Sequence, residues 1–262
     1  MTIVYEFFET SIHGYHGIAV PDGDIKKHYP EEIKNKLVDF EGTQDLVENF
    51  SSSIALTGFD SKTILLDIFS IEVPMQEWRI GEAFAEFYLE KHKGARFYWN
   101  ELRDQRNINS NKTGADLLGF IELNSETVFL FGEVKTSNDP DSPPQVLYGK
   151  SGMIKQLEEL ANDKKKIRAL IRYIGTKAML FPSDSTFRLD YEKALNTYIK
   201  DMTKYNLFGI LVRDTKTNEN DLKSRYKALK KKITVLTGLQ LIALYTSIEQ
   251  KEWPTIVNGL NE

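Results

Sequence analysis

The sequence predicts an α/β fold, a mixed central β-sheet flanked by helices, and three observations carry that expectation. Residues 115–123 and 127–136 are two arms flanking the polar Asn124-Ser125-Glu126, the second rich in residues that suit a pleated, buried surface, the pattern of a β-hairpin closed by a polar turn. Residues 207–213 and 239–245 are continuous apolar runs, as strands buried on both faces require. Between those runs, residues 221–233 have the period of a basic amphipathic helix, so together they read as a strand–helix–strand unit entering one sheet.

The elements follow in chain order. Residues 3–10 are β-branched and aromatic and read as a strand; His13-Gly-Tyr-His-Gly17 reads as a break, with a short second strand at 18–20. Pro21-Asp-Gly-Asp24 reads as a turn, and Pro30-Glu-Glu opens a helix to about Phe40. Thr43 is the expected N-cap of a helix to about Leu56, followed by a turn at 58–62. Residues 63–69 fit either a strand or a short buried helix. Residues 77–91 form the clearest helix, with Trp78, Ile80, Phe84, Phe87 and Tyr88 at helical spacing and Gly94 as its end. Gly81 and Ala83 flank Glu82, which lets this helix approach a sheet closely. A short strand at 96–99 and a polar loop at 101–113, with Arg103, Arg106 and Lys112, precede the hairpin. After it come a breaker-rich loop at 137–144 and a helix over 145–163, interrupted near Gly149 and Gly152. Further helices are expected at 164–173, opening on Lys164-Lys-Lys-Ile-Arg168, and at 191–204. Residues 1–72 are expected to form an N-terminal subdomain, able to dock a partner, and residues 73–262 the main domain.

With 262 residues, 41% of them apolar and 11% aromatic, the chain can build a substantial core. A net charge of -4 and a pI of about 5.7 argue against binding nucleic acid by bulk charge. Any such binding needs a local basic groove or a partner. The absence of cysteine excludes disulfides, thiolate metal sites and thiol catalysis. Of the four histidines, His13 and His16 are close but have no third ligand nearby; they read as polar loop residues rather than a zinc site. No stretch is long and apolar enough to span a membrane, and the N-terminus lacks a basic-then-apolar order, so a cytoplasmic location is expected.

The hairpin carries three charges that an apolar hairpin does not need: Asp116, Glu133 and Lys135. Glu133 and Lys135 are two apart and share a face, while Val134 points the other way. Asp116 enters the first arm as Glu133 leaves the second, so an antiparallel pairing sets the carboxylates side by side. Close carboxylates repel and raise each other's pKa unless a positive charge intervenes. Mg²⁺ or Mn²⁺ suits such oxygens, acidifies bound water and stabilises a phosphate under attack. Lys135 could orient that water or offset phosphoryl charge. The same three residues also fit a surface hairpin with an ion pair at its end.

Asp116 in Gly114-Ala115-Asp116, followed by Glu133-Val134-Lys135, resembles the active site of the PD-(D/E)xK nuclease superfamily, with Gly-Ala-Asp in place of Pro-Asp. The resemblance covers roughly residues 77–160 and implies a restriction-endonuclease-like core. It implies a metal site of Asp116, Glu133 and the Val134 carbonyl, with Lys135 catalytic. Gly81-Glu82-Ala83-Phe84-Ala85 is similar to the superfamily's helical Gly-Glu-x-x-Ala pattern and adds Glu82 to the metal ligands. By similarity to RecB-like branches, Gln156, and less strongly Gln145, would help organise the site. More narrowly, residues 79–81, Gly-Ala-Asp-Leu-Leu-Gly-Phe and Phe-Gly-Glu-Val-Lys-Thr-Ser resemble the nuclease subunit of the Hachiman anti-phage defence system. That resemblance implies a DNA substrate, Mg²⁺ or Mn²⁺ as cofactor, and a superfamily 2 helicase partner that uses ATP and controls cleavage. A stand-alone restriction or repair nuclease and a non-catalytic interaction subunit are the alternatives.

Overall fold

The computed structural model describes residues 1–54, 62–70, 73–104, 114–233 and 237–259. Arg106, Lys112 and the turn expected around Gly58 lie outside the described residues. Six strands form one mixed sheet in the order β1-β2-β6-β5-β4-β3. β1 (Thr2–Thr10) and β2 (His13–Val20) are antiparallel. β2 then runs parallel to β6 (Gly238–Thr246), β6 to β5 (Tyr205–Arg213), and β5 to β4 (Glu126–Ser137). β3 (Leu117–Leu123) closes the far edge antiparallel to β4. The mixed α/β architecture is therefore the expected one, with helices on both faces.

The hairpin turn is tighter than read from sequence. Leu123 pairs with Glu126, leaving only Asn124 (φ 50°) and Ser125 (φ 65°) between the strands. Two consecutive left-handed residues make the turn that matches strand twist. Odd-numbered β4 residues Phe129 and Phe131 pack with Leu207 and Leu211 of β5 beneath α6 (Met153–Asn162), α7 (Lys164–Ala178) and α8 (Thr186–Lys200). Even-numbered Leu130 and Val134 pack with Phe208 and Ile210 on the other face, against α5 (Glu77–Lys93) and α1 (Asp22–His28). Every residue of β5 and β6 is buried, as parallel strands covered on both faces must be. The expected strand–helix–strand ending is present, with α9 (Asn220–Lys232) between β5 and β6.

Several expectations are corrected. β2 spans the segment read as a break. Its Gly14 and Gly17 lie under β1, where an added Cβ would come within 2.3 Å of the Phe7 carbonyl and 2.4 Å of the Tyr5 ring. These glycines serve close packing, not a turn. Pro21-Asp22 opens α1 rather than a turn, with Asp22 and Asp24 in its first turn, and a π-helical segment Tyr29–Ile33 and α2 (Lys34–Leu37) continue it. The ambiguous segment is helical, α4 (Lys62–Phe69), packed on α3 (Phe40–Ile54). Residues 96–99 make one bridge, Arg96 to Phe120, instead of a strand. One sheet runs across the expected boundary at residue 72, with β1 and β2 joined to it through β6. Among the described residues no helix is long and apolar enough to cross a membrane.

A buried ion pair ties the carboxyl ends of the strands. Arg213 of β5 meets Asp221 of α9 at 2.6 Å, both fully buried. Asp221 also accepts from Tyr245 (2.7 Å) and Ser142 (2.5 Å), and Arg213 donates to the Asp139 and Asp141 carbonyls. These bonds fix the loop that follows β4.

α5 crosses β4 so closely that a Cβ at Gly81 would lie 2.1 Å from Thr136 Oγ1. In an unobstructed helix, Gly to Ala gains about 1 kcal/mol. Here the clash reverses the sign: Gly81→Ala should destabilise the protein by roughly 1–3 kcal/mol in urea unfolding. Adding Thr136→Ala should recover much of that loss.

Candidate functional site

β3 begins one residue after Asp116, and this start builds the site. The Asp116 N–H donates to the Gly132 carbonyl at 2.9 Å, and its carboxylate accepts the Val134 N–H at 2.9 Å. The side chain thus takes the place of a strand partner at the open end of the β4 edge. Both main-chain groups of one residue face the same neighbour, so the Val134 carbonyl is directed to this edge as well.

Glu133 and Lys135 stand on the face of Phe129 and Phe131, as strand alternation requires. The Lys135 ammonium lies 3.7 Å from a Glu133 oxygen and 3.9 Å from an Asp116 oxygen. It neutralises part of the charge between them without hydrogen-bonding either closely. Glu133 is 1% exposed, and its Oε2 is buried with no hydrogen-bond partner. Burial, and then the neighbouring Asp116 carboxylate, push its pKa up to about 8, against the opposing pull of Lys135 and Lys166. An ionised Glu133 here would share the Lys135 ammonium with Asp116.

The other expected residues are placed less tightly. Glu82 sits on α5, across the sheet from Glu133, but lines the same cavity as Asp116, with Arg79, Trp99 and Tyr173. Among the described residues no three His, Asp or Glu side chains form a ready metal cage. Gln156 lies on α6, over the Glu133 face, and its Oε1 is buried without a hydrogen bond. Gln145 is exposed in a short 3₁₀ turn, and its backbone N–H donates to the Asp139 carboxylate. His13 and His16 sit on β2 rather than in a loop. They are three apart and so face opposite ways. His13 bonds the Thr237 carbonyl, while buried His16 is 3.3 Å from the Tyr88 hydroxyl, with its pKa lowered to about 3 by burial.

One residue beside the site was not singled out in the sequence. Lys166 enters at the start of α7, where Asp163 caps the helix through the Lys165 and Lys166 amides. A Cβ at Gly114 would lie 3.4 Å from Lys166 Cε, so the lysine borders the turn that leads into Asp116. Its only sequence signal was membership of the 164–168 basic run. The residues present fit a divalent cation: two neighbouring carboxylates, a buried oxygen with no hydrogen-bond partner, and a carbonyl directed to the same edge. No protein-family model matches the chain, and no curated protein matches it either.

Because Glu133 binds its proton more tightly when folded, its stabilising contribution is complete below pH 4.5 and is lost as pH rises through about 8. Glu133→Gln, neutral at every pH, should therefore melt above the wild type at pH 9 without added metal. The difference should shrink toward pH 5. Thermal melts across that range test this; a constant difference would contradict it.

Proposed function

We propose that the chain is a metal-dependent nuclease that hydrolyses DNA phosphodiester bonds. The observation that carries this reading is buried Glu133 beside the half-buried Asp116, the two bridged by Lys135, with a Glu133 oxygen that has no hydrogen-bond partner. An arrangement that only served as a surface ion pair would leave both carboxylates wet; here Glu133 is buried and charge-starved.

Asp116, Glu133 and the Val134 carbonyl would hold Mg²⁺ or Mn²⁺, with Glu82 reaching it from α5 through water. Bound there, the cation would supply positive charge to the phosphate and lower the pKa of a water. The protein's own groups do the remaining work. Lys135, anchored between the two carboxylates, orients the attacking water and offsets the charge that grows on the non-bridging oxygens. The Val134 N–H holds Asp116 in a fixed orientation. Gln156, over the same face, offers its unpartnered Oε1 as an acceptor that orients the water or the protonated Glu133 carboxyl.

The wider role follows from the sequence resemblance: an effector subunit of an anti-phage defence complex, controlled by a superfamily 2 helicase. The overall charge of -4 supports a partner that supplies affinity for DNA.

Cleavage of supercoiled and linear DNA in Mg²⁺ or Mn²⁺ tests the reading, with the protein alone and with any helicase encoded beside it. Lys135→Ala should lower the rate by about 10²–10³, and Glu133→Ala, Lys135→Ala should abolish it while circular dichroism stays unchanged. Cutting that survives in the folded double variant rules the assignment out.

A further inference from the structure

α7 carries six basic residues and no acidic one. Lys166 is paired with Glu159 at 3.4 Å, and Lys177 with Asp104. Lys164, Lys165, Arg168 and Arg172 are exposed, and among the described residues none of their side chains has a carboxylate partner. Lys165, Arg168 and Arg172 follow i, i+3, i+7 spacing and so form one stripe. Like charges four apart on a helix destabilise it by a few tenths of a kcal/mol, and this protein has an excess of carboxylates with which to pair them. The stripe is a local exception to an acidic surface.

It is also joined to the site. Lys166 stands against Gly114 at the entry to Asp116, and Tyr173 and Ile174 of the same helix line the cavity onto which Asp116 opens.

We propose that the exposed face of α7 is a track for the phosphate backbone of the nucleic acid, leading it to Asp116 and Glu133. The inference rests on the nuclease reading and deepens it, because it places the substrate's approach on one helix. At about 1.5 Å rise per residue, Lys165 to Arg172 spans roughly 10 Å. That length matches about three phosphates of one strand, which are about 3.4 Å apart along the axis. Lysine and arginine contacts of this kind hold the backbone without reading its sequence, in keeping with a chain that has no evident base-reading element.

Arg168 and Arg172 also border an apolar groove between α7 and α8, with Ile171, Leu195 and Ile199 in its lining, which an acidic protein segment could occupy instead. Lys165 lies outside that lining and separates the two.

The test is fluorescence anisotropy with labelled duplex DNA, single-stranded DNA and RNA, made without metal in the Glu133→Gln protein and repeated over a salt series. Cleavage by the wild type is assayed in parallel. Lys165→Glu, Arg168→Glu, Arg172→Glu should weaken binding at least ~10-fold and reduce the logarithmic salt slope by about 2–3. The corresponding glutamine triple variant should fall between it and the parent, and Lys165→Glu alone should show a measurable loss. Unchanged melting temperatures confirm that the variants fold. If the wild type cleaves but the triple variants bind as tightly as the parent, the track is wrong and the nuclease reading stands. A loss confined to Arg168 and Arg172, with Lys165→Glu silent, assigns the surface to the groove and also overturns the track. If there is neither binding nor cleavage, both fail.

Discussion

The hydrogen bond from the Val134 amide to Asp116 does two things at once. It satisfies a strand donor that β3 starts too late to meet, and it pins a carboxylate beside the one that β4 carries inward at Glu133. A backbone donor left unpaired at this depth would cost on the order of 1–3 kcal/mol, so the geometry is imposed by the sheet rather than chosen by a flexible side chain. The elements behind it are closely packed. β5 and β6 are buried on both faces, α5 rests on Thr136, and the Arg213–Asp221 pair holds the loop beyond β4. Truncating one partner of such a buried pair typically costs about 3–5 kcal/mol, which makes it a strong constraint on that end of the sheet.

The balance of charge at this edge sets what it can do. A single ammonium, at 3.7 and 3.9 Å, is shared between two carboxylates, and burial raises the cost of ionising Glu133 further. Lys166 adds a second, more distant cation already engaged by Glu159. The result is a site one positive charge short whenever Glu133 is ionised, a deficit that its own proton fills at neutral pH. A hard cation would supply that charge, and this deficit, more than the spacing of the motif, supports the proposed chemistry.

The hairpin and its charged face were legible because period-two alternation leaves no freedom: once residues 117–123 and 126–137 pair, Glu133 and Lys135 must share a face and Val134 must oppose them. The closing strands were legible for the same reason, as apolar runs with a helix between them. What misled the reading was local punctuation. Gly14 and Gly17 look like turn residues, yet they make room for Tyr5, Phe7 and Phe8 of the neighbouring strand, a tertiary demand that the local sequence does not reveal. Pro21 followed by two acids is equally the start of a helix and a turn. The N-terminal strands could not be assigned to the central sheet because β2 pairs with β6, more than two hundred residues away. Glu82 illustrates a further limit: its pattern was visible, but whether it reaches Asp116 depends on the crossing of α5 over β4, which no spacing encodes.

The most direct test of the charge deficit is titration calorimetry of Mn²⁺ at pH 7, run in two buffers of different ionisation enthalpy. With its pKa near 8, Glu133 is largely protonated at that pH, so binding should release close to one proton (~1 per ion). Both the binding and the release should be lost in Asp116→Asn. Absence of binding at millimolar Mn²⁺, or binding that releases no proton and ignores Asp116→Asn, would contradict the account.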